Sequence, residues 1–404
     1  MINICPITQT ETSTKYFNLG NMPLVNDLCL TREDSLKIKT YKLELQYFNE
    51  SGLTSLTNEI EAKKLFNNYL FKTSVNKPYI EHCKKMFEYI QSMVNIDDNT
   101  NIMDIGGNDG TLLKTFKDCS DKKLKLLNIE PSDNLSKISK SIGIPTINNF
   151  FNENVFEHVS DKFDVIISTN VFQHLKNIDE FVKTIKKILK EDGIWVLEFP
   201  YWIHNMNTNQ FDQIYHEHIY YYSVSPLVKL MQKHNLKINV IIFHDMHSGS
   251  LRLIISHDTS NVIKSDGSVE KYIEMEKKYT LDSHINWGKN IKNHINDCKT
   301  FINTLIEDGY KIVGFGASAK GGIFLNSLGL DYTDIPYIID DTDIKQGKFL
   351  PKLGIEIVDR NIIQTYKPDY ILILSHNFKE YIMESLSDIY DEKFIICFPE
   401  LKIL

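Results

Sequence analysis

The sequence predicts an α/β protein in which two Rossmann-like units of parallel strands and covering helices follow a small N-terminal module. Three observations carry this expectation. Short apolar runs ("NIMDIGG", "LKLLNIE", "FDVIIST", "GIWVLEFP") alternate with stretches of helical period such as "YIEHCKKMFEYIQSMV". Strands alternating with helices imply a mostly parallel sheet covered on both faces. The alternation returns near the C-terminus in "KIVGFG", "IPYIID" and "DYILILS", after a long polar helical stretch that begins "GSVEKYIEMEKKYT". Finally, each unit contains a strand that runs into a glycine turn and a helix. The boundaries fall at 1–72 for the N-terminal module, 73–262 for the first unit and 263–404 for the second. The module shows short strand-like pieces and turn signals ("NLGNMP", "NESGL"), with no helix able to make a core alone.

Composition narrows the function. The 404 residues suffice for several cores, and 42% hydrophobic with 24% charged residues is ordinary for a globular chain. A net charge of −8 argues against a nucleic-acid partner, which requires a basic face. No apolar run reaches the roughly 18–20 residues of a membrane helix, and "MINICPITQT" has no signal-peptide apolar region. The 6 cysteines are scattered without a CxxC pair, which fits a reducing compartment. The expectation is a cytoplasmic monomer or small homo-oligomer with no membrane partner.

In the first glycine turn, "NIMDIGGNDGTLLKTF", Gly106, Gly107 and Gly110 allow a sharp bend and close approach of a ligand. A phosphate loop would avoid carboxylates, because the helix N-terminus attracts anions. This loop carries Asp104 and Asp109 around Asn108, which suits a ligand with ammonium and sulfonium groups: S-adenosylmethionine (SAM). Glu130 ends the next strand, where an acid accepts hydrogen bonds from ribose hydroxyls. Phe150 and Phe151 are placed to bracket an adenine, and Asn170 and His174 fall at the cleft mouth. The first unit is thus predicted to be a Rossmann-like SAM-dependent methyltransferase domain.

Further on lies "QFDQIYHEHIYYYS" (Gln210 to Ser223). Imidazole and carboxylate ligate metals, but no second cluster completes a coordination sphere. Read as a strand, the segment puts His216 and His218 on one face and Tyr215 and Glu217 on the other. The acid/base reading leads, and a polar strand edge with aromatic packing is the structural alternative.

This segment, with "IMDIGGNDGTLL", "LGNMPLVN", "HSGSLRL", "VGFGASAKGG" and "DDTDIKQGKFLP", resembles the sugar C-methyltransferases, three-domain enzymes that methylate a carbon of nucleotide-linked deoxysugars. The resemblance spans essentially the whole chain. It implies abstraction of a proton next to a ketone, with His218 as base, Tyr215 and Glu217 positioning the substrate and His216 the weakest candidate. It also implies a nucleoside-diphosphate sugar held by Tyr69, Asn170, His247, Ser250, Arg252, Ser318, Lys320 and Asn377.

The pattern breaks in places. The family binds structural zinc through two CxxC pairs, but here only Cys5 remains, with Thr8, Phe48 and Ser51 at the partner positions. No metal is therefore expected, and Phe48 is expected in the core. Phe71 replaces a second tyrosine beyond Tyr69, and Ser248 stands in a glycine slot. These changes leave O-methylation open, since it needs only a base near a hydroxyl. In the second glycine turn, Gly314, Gly316, Ala319 and the later Asp340 would pass as a dinucleotide fingerprint, which supports an NAD-dependent oxidoreductase as rival. A methyltransferase fold kept as a non-catalytic subunit is a third reading, which the intact acidic and histidine clusters oppose.

Overall fold

The computed structural model describes residues 2–66, 72–157, 159 and 161–404. Tyr69 and Phe71 lie outside the described residues. The N-terminal sheet is built from β1 (Ser13–Pro23), β2 (Thr40–Phe48) and β3 (Thr54–Leu56), paired antiparallel. Phe17, Leu43, Leu45, Phe48, Leu53 and Leu56 form its core. Phe48, expected in the core, is completely buried. Beside it the Cys5 thiol donates to Ser51 Oγ at 3.2 Å, so the one retained cysteine is satisfied by a residue standing at a lost cysteine position.

The central sheet contains β4 (Asn101–Ile105), β5 (Lys125–Ile129), β6 (Thr146–Ile147), β7 (Phe163–Thr169) and β8 (Leu189–Pro200). After β9 (Tyr220–Tyr221) come β10 (Leu236–His244) and β11 (Ser250–His257). The order is β10-β11-β8-β7-β4-β5-β6. β4 to β8 run parallel, β4 buried throughout and β7 and β8 over most of their length, and β11 enters antiparallel between β8 and β10. The order reverses at β4 between β5 and β7, so the cleft beyond the carboxyl ends of these strands is the expected ligand site. β9 does not join this sheet. It pairs with β3, Thr54 opposite Tyr221 and Ser55 opposite Tyr220, and so completes the N-terminal sheet from within the central unit.

The C-terminal sheet comprises β12 (Ile312–Phe315), β13 (Tyr337–Ile339), β14 (Glu356–Val358), β15 (Tyr370–Ile373), β16 (Lys393–Ile396) and β17 (Lys402–Ile403), in the order β14-β13-β12-β15-β16-β17. All its pairs are parallel except the β16/β17 edge. The fold is thus α/β, with an antiparallel N-terminal module and two Rossmann-like sheets. No helix among the described residues is long and apolar enough to cross a membrane.

The helix Leu281–Glu307 joins the layers. Its Trp287 meets Phe17 of β1 at 5.1 Å and Trp202 of the central unit at 5.0 Å between ring centroids. Truncating a buried aromatic removes apolar area and leaves a cavity. Trp287→Ala is expected to lower stability by about 3–5 kcal/mol in urea melts, and Trp287→Phe to recover most of that loss.

Candidate active site

The first glycine turn forms as the sequence implies. Gly106, Asn108 and Gly110 take φ of 68°, 54° and 83°, a region glycine enters freely and asparagine tolerates. A Cβ on Gly107 would stand 2.4 Å from both Asp104 Oδ2 and Asn128 Oδ1, so only glycine brings the backbone this close. Asp104 is 1% exposed and neither carboxylate oxygen has a hydrogen-bond partner. Burial, then the Glu130 charge, pushes its carboxyl well up. Glu130 accepts from the amides of Asn108 (2.9 Å) and Ser132 (2.8 Å), yet burial still raises it. A buried orphan carboxyl beside a backbone cradle that a Cβ would fill fits a cationic ligand, as SAM is.

Asp109 plays a different part from the one its position suggests. Its carboxylate accepts from the Thr73 hydroxyl, the Thr111 hydroxyl (2.6 Å) and the Ser74 amide (3.0 Å). Burial alone would raise it, but these bonds hold it below its ordinary value. Asp109 therefore pins the segment before helix Lys77–Met93 to the glycine turn and is not open to a ligand. Phe151 likewise packs on Phe181 at 5.0 Å rather than standing free, while Phe150 is half-buried beside it.

On the far side of β4, Asn170 takes φ 56° directly after β7, and its amide donates to Glu198 O at 2.9 Å. His174 follows in a short 3₁₀ turn and donates from Nδ1 to Glu217 O at 2.6 Å. This bond leads to the Tyr-His-Glu-His segment.

That segment is a turn and not a strand, closed by His218 N donating to Tyr215 O at 3.0 Å. Strand alternation consequently fails, and His216 and His218 do not share a face. His216 donates from Nε2 to Tyr41 O at 3.2 Å, at the seam with the N-terminal module. His218 donates from Nδ1 to Gln213 O at 3.0 Å, which fixes its tautomer and leaves the Nε2 lone pair for a proton. Its ring lies 4.0 Å from that of Tyr215 and 5.0 Å from that of His174. Burial, then the neighbouring His174, pushes its pKa well down, and burial takes His174 to about 4. Glu217 Oε1 accepts from Asn26 Nδ2 at 2.6 Å, so "LGNMPLVN" reaches the site through its last residue.

The C-terminal side is closed by Lys320, His247 and the 3₁₀ turn His376–Phe378, which carries the half-buried Asn377. His247 has φ 53°, and its carbonyl accepts from Gln213 Nε2 at 2.9 Å and from Lys320 Nζ at 3.4 Å. Ser318 caps the helix Ala319–Leu328, accepting from the Gly321 amide at 3.1 Å. Ser250 spends its hydroxyl on Met246 O at 2.9 Å. Asp340 accepts from the Ala317 amide (2.9 Å) and from Lys345 Nζ (3.0 Å), so the acid of the dinucleotide fingerprint is already engaged.

Arg252 is not aimed at the cleft. Its guanidinium donates to Glu198 Oε1 and stands 3.2 Å from His82 Nε2. His82, Glu198 and His244 are close enough to share a metal ion, but here a guanidinium supplies the positive charge. Sequence reasoning missed Glu198, His82 and Asp212, while His376 falls in the "SHNF" loop (Ser375 to Phe378) that the resemblance places at the cleft. Glu198 had a signal, an acid at the carboxyl end of a buried strand in "GIWVLEFP". The partners of the others come from distant elements that no local pattern pairs.

Comparison with known proteins agrees with this geometry. Residues 79–240 match a family described as "Methyltransferase domain", and residues 245–399 match "C-methyltransferase C-terminal domain". The chain belongs to the C-methyltransferase family. This C-methyltransferase is 24% identical, over 100% of its length and 97% of the relative's, to the C-methyltransferase NovU of Streptomyces niveus. Solved structures similar to part of it include the magnesium protoporphyrin IX methyltransferase of Synechocystis with bound SAH (10% identity, 44% of this chain and 83% of that one, TM-score 0.36). A SAM-dependent methyltransferase of Clostridium acetobutylicum is another (11% identity, 46% and 94%, TM-score 0.36). The C-methyltransferase is a SAM-dependent enzyme.

The Glu198 pair makes a testable contribution to stability. Burial would raise its carboxyl, but Arg252, with His244 and His82, holds it well below the ordinary value. A depressed carboxyl stabilises the fold above its unfolded pKa, and that stabilisation is lost as pH falls through the folded value. Glu198→Gln strands a buried guanidinium, so it is expected to cost roughly 3–5 kcal/mol at pH 7. The difference from wild type should shrink only in strong acid, as read from urea melts across pH.

Proposed function

We propose that the C-methyltransferase methylates the carbon beside the ketone of a nucleoside-diphosphate-linked sugar. The observation that carries this reading is the state of His218: a buried, neutral imidazole whose Nδ1–H is engaged and whose Nε2 is free to take a proton. SAM supplies an electrophilic methyl group when bound. Asp104 would hold its ammonium and Glu130 its ribose, beside the turn that Gly106 and Gly107 make. Nε2 of His218 removes the proton from the carbon and keeps it as imidazolium; the electron pair left behind would take the methyl that SAM supplies, its sulfur–methyl bond breaking to leave S-adenosylhomocysteine. A well-placed base contributes on the order of 10²–10⁴-fold. Tyr215, whose ring lies 4.0 Å from that of His218, and Lys320, whose charge acts on His218, are the groups suited to meet the developing enolate oxygen. Lys320 also suits a diphosphate, as does Ser318 at the head of its helix.

The engaged Asp340 favours this reading over a nicotinamide enzyme, because it leaves no acid for a dinucleotide ribose. Incubation with labelled SAM and a panel of 4-keto nucleotide sugars tests the reaction. Methyl transfer should come with deuterium washing into the carbon beside the ketone. His218→Ala should lose both by about 10²-fold or more. Turnover without wash-in would favour O-methylation.

The pH dependence follows from the same group. His218 must be unprotonated to act, and its pKa lies well below the usual histidine value. kcat/KM is therefore expected to show no loss assignable to His218 between pH 8 and 6.5, and to fall only in more acidic solution.

The donor site has its own readout. A raised Asp104 carboxyl holds a proton until an ammonium arrives, so S-adenosylhomocysteine should release protons as it binds in mild acid. Calorimetry in buffers of different ionisation enthalpy should detect the release in wild type and not in Asp104→Asn.

A further inference from the structure

We propose that Asp212 and His376 together read a hydroxyl group of the sugar, so that the seam between the central and C-terminal units selects substrates by their hydroxyl pattern. The inference deepens the nucleotide-sugar reading and rests on it. Asp212 lies in the 3₁₀ turn Phe211–Gln213, immediately before the residue whose carbonyl fixes the His218 tautomer. It is 0% exposed, and neither of its carboxylate oxygens has a hydrogen-bond partner. Facing it from the other unit is His376, whose side chain is 8% exposed and whose ring nitrogens both lack a hydrogen bond. Nδ1 of His376 stands 3.5 Å from Asp212 Oδ2, outside the range of a well-formed hydrogen bond. Buried polar groups are almost always satisfied, so two that face each other unsatisfied from different units mark a place for a third.

The two groups lie among packed aromatic rings. His376 is stacked on Phe398 at 4.8 Å and 34°. Phe211, the chain neighbour of Asp212, meets Phe398 at 5.5 Å and Phe324 at 6.1 Å.

The chemistry of the two groups restricts the occupant. A phosphate would be repelled by the Asp212 carboxylate. A metal ion would find one carboxylate and one imidazole, with the Lys320 ammonium acting on both groups. A hydroxyl fits both partners: its single O–H donates to the carboxylate while its lone pairs accept from an imidazole N–H. Burial takes His376 to about 3 and Asp212 up to about 6, so at neutral pH they present these roles, neutral donor and charged acceptor.

Calorimetry on the full chain saturated with S-adenosylhomocysteine tests this. The probes are UDP and dTDP, their glucose conjugates, and glucose conjugates each lacking one hydroxyl. In wild type, loss of one particular hydroxyl is expected to weaken binding on the order of tenfold to a hundredfold. That position-specific penalty should vanish in Asp212→Asn and in His376→Phe, which keeps a ring on Phe398, while nucleoside-diphosphate affinity stays within about twofold. Wild type indifferent to every hydroxyl, or variants that keep the penalty, would overturn the proposal alone. Failure of all these nucleotides to bind wild type would instead remove the nucleotide-sugar reading and this proposal with it. Should Asp212→Asn fail to bind S-adenosylhomocysteine or melt early, His376→Phe decides by the same readout.

Discussion

The site depends on one constraint: the segment from Gln210 to Ser223 is bonded into every layer of the molecule at once. Its Ile219 amide donates to Gln173 O at 2.7 Å, and its Ile219 carbonyl accepts from Leu56 N at 2.9 Å. Tyr222 O accepts from Trp202 N at 3.0 Å, and β9 adds a strand to the N-terminal sheet. At the other end Phe211 is wedged against the C-terminal unit. A catalytic imidazole gains from being held in place before the substrate arrives, because reorganisation during reaction raises the barrier. His218, the proposed base, is held by its own bonds to Tyr215 O and Gln213 O and by the main-chain bonds of Ile219 and Tyr222 on either side of the strand that follows it.

Desolvation then sets the protonation states. The cleft groups with no fixed counter-charge are driven towards neutrality: Asp104 upward, His174, His218 and His247 downward. Glu198, equally buried, goes the other way because Arg252 lies against it. The contrast separates two kinds of buried acid. One is completed by the protein and supports the sheet end, and the other has no partner within the fold, which is the basis for proposing it as the donor's anchor.

This separation also explains what was legible in the sequence. The parallel strands, the glycine turn and the core position of Phe48 follow from local period, backbone freedom and side-chain volume, which a single chain displays directly. Asp109 looked equivalent to Asp104 because both flank the same glycines. Only the fold shows that Thr73 and Ser74 reach back to occupy one of them. The tyrosine-rich run around Tyr-His-Glu-His has strand propensity, but a turn wins because Tyr215 O closes on His218 N. Arg252 read as a substrate cation until Glu198, its register partner on β8, came into view.

The N-terminal module shows why a metal-site pattern can erode without loss of the module. With Cys5 bonded to Ser51 and Phe48 filling the core, its sheet is stabilised by packing and by β9. What it supplies to the cleft passes through Asn26, which holds Glu217, and the Tyr41 carbonyl, which holds His216. Neither contact needs a metal, but both need the sheet to stand where it does. The module's interior therefore bears on the cleft through the position it gives these two contacts.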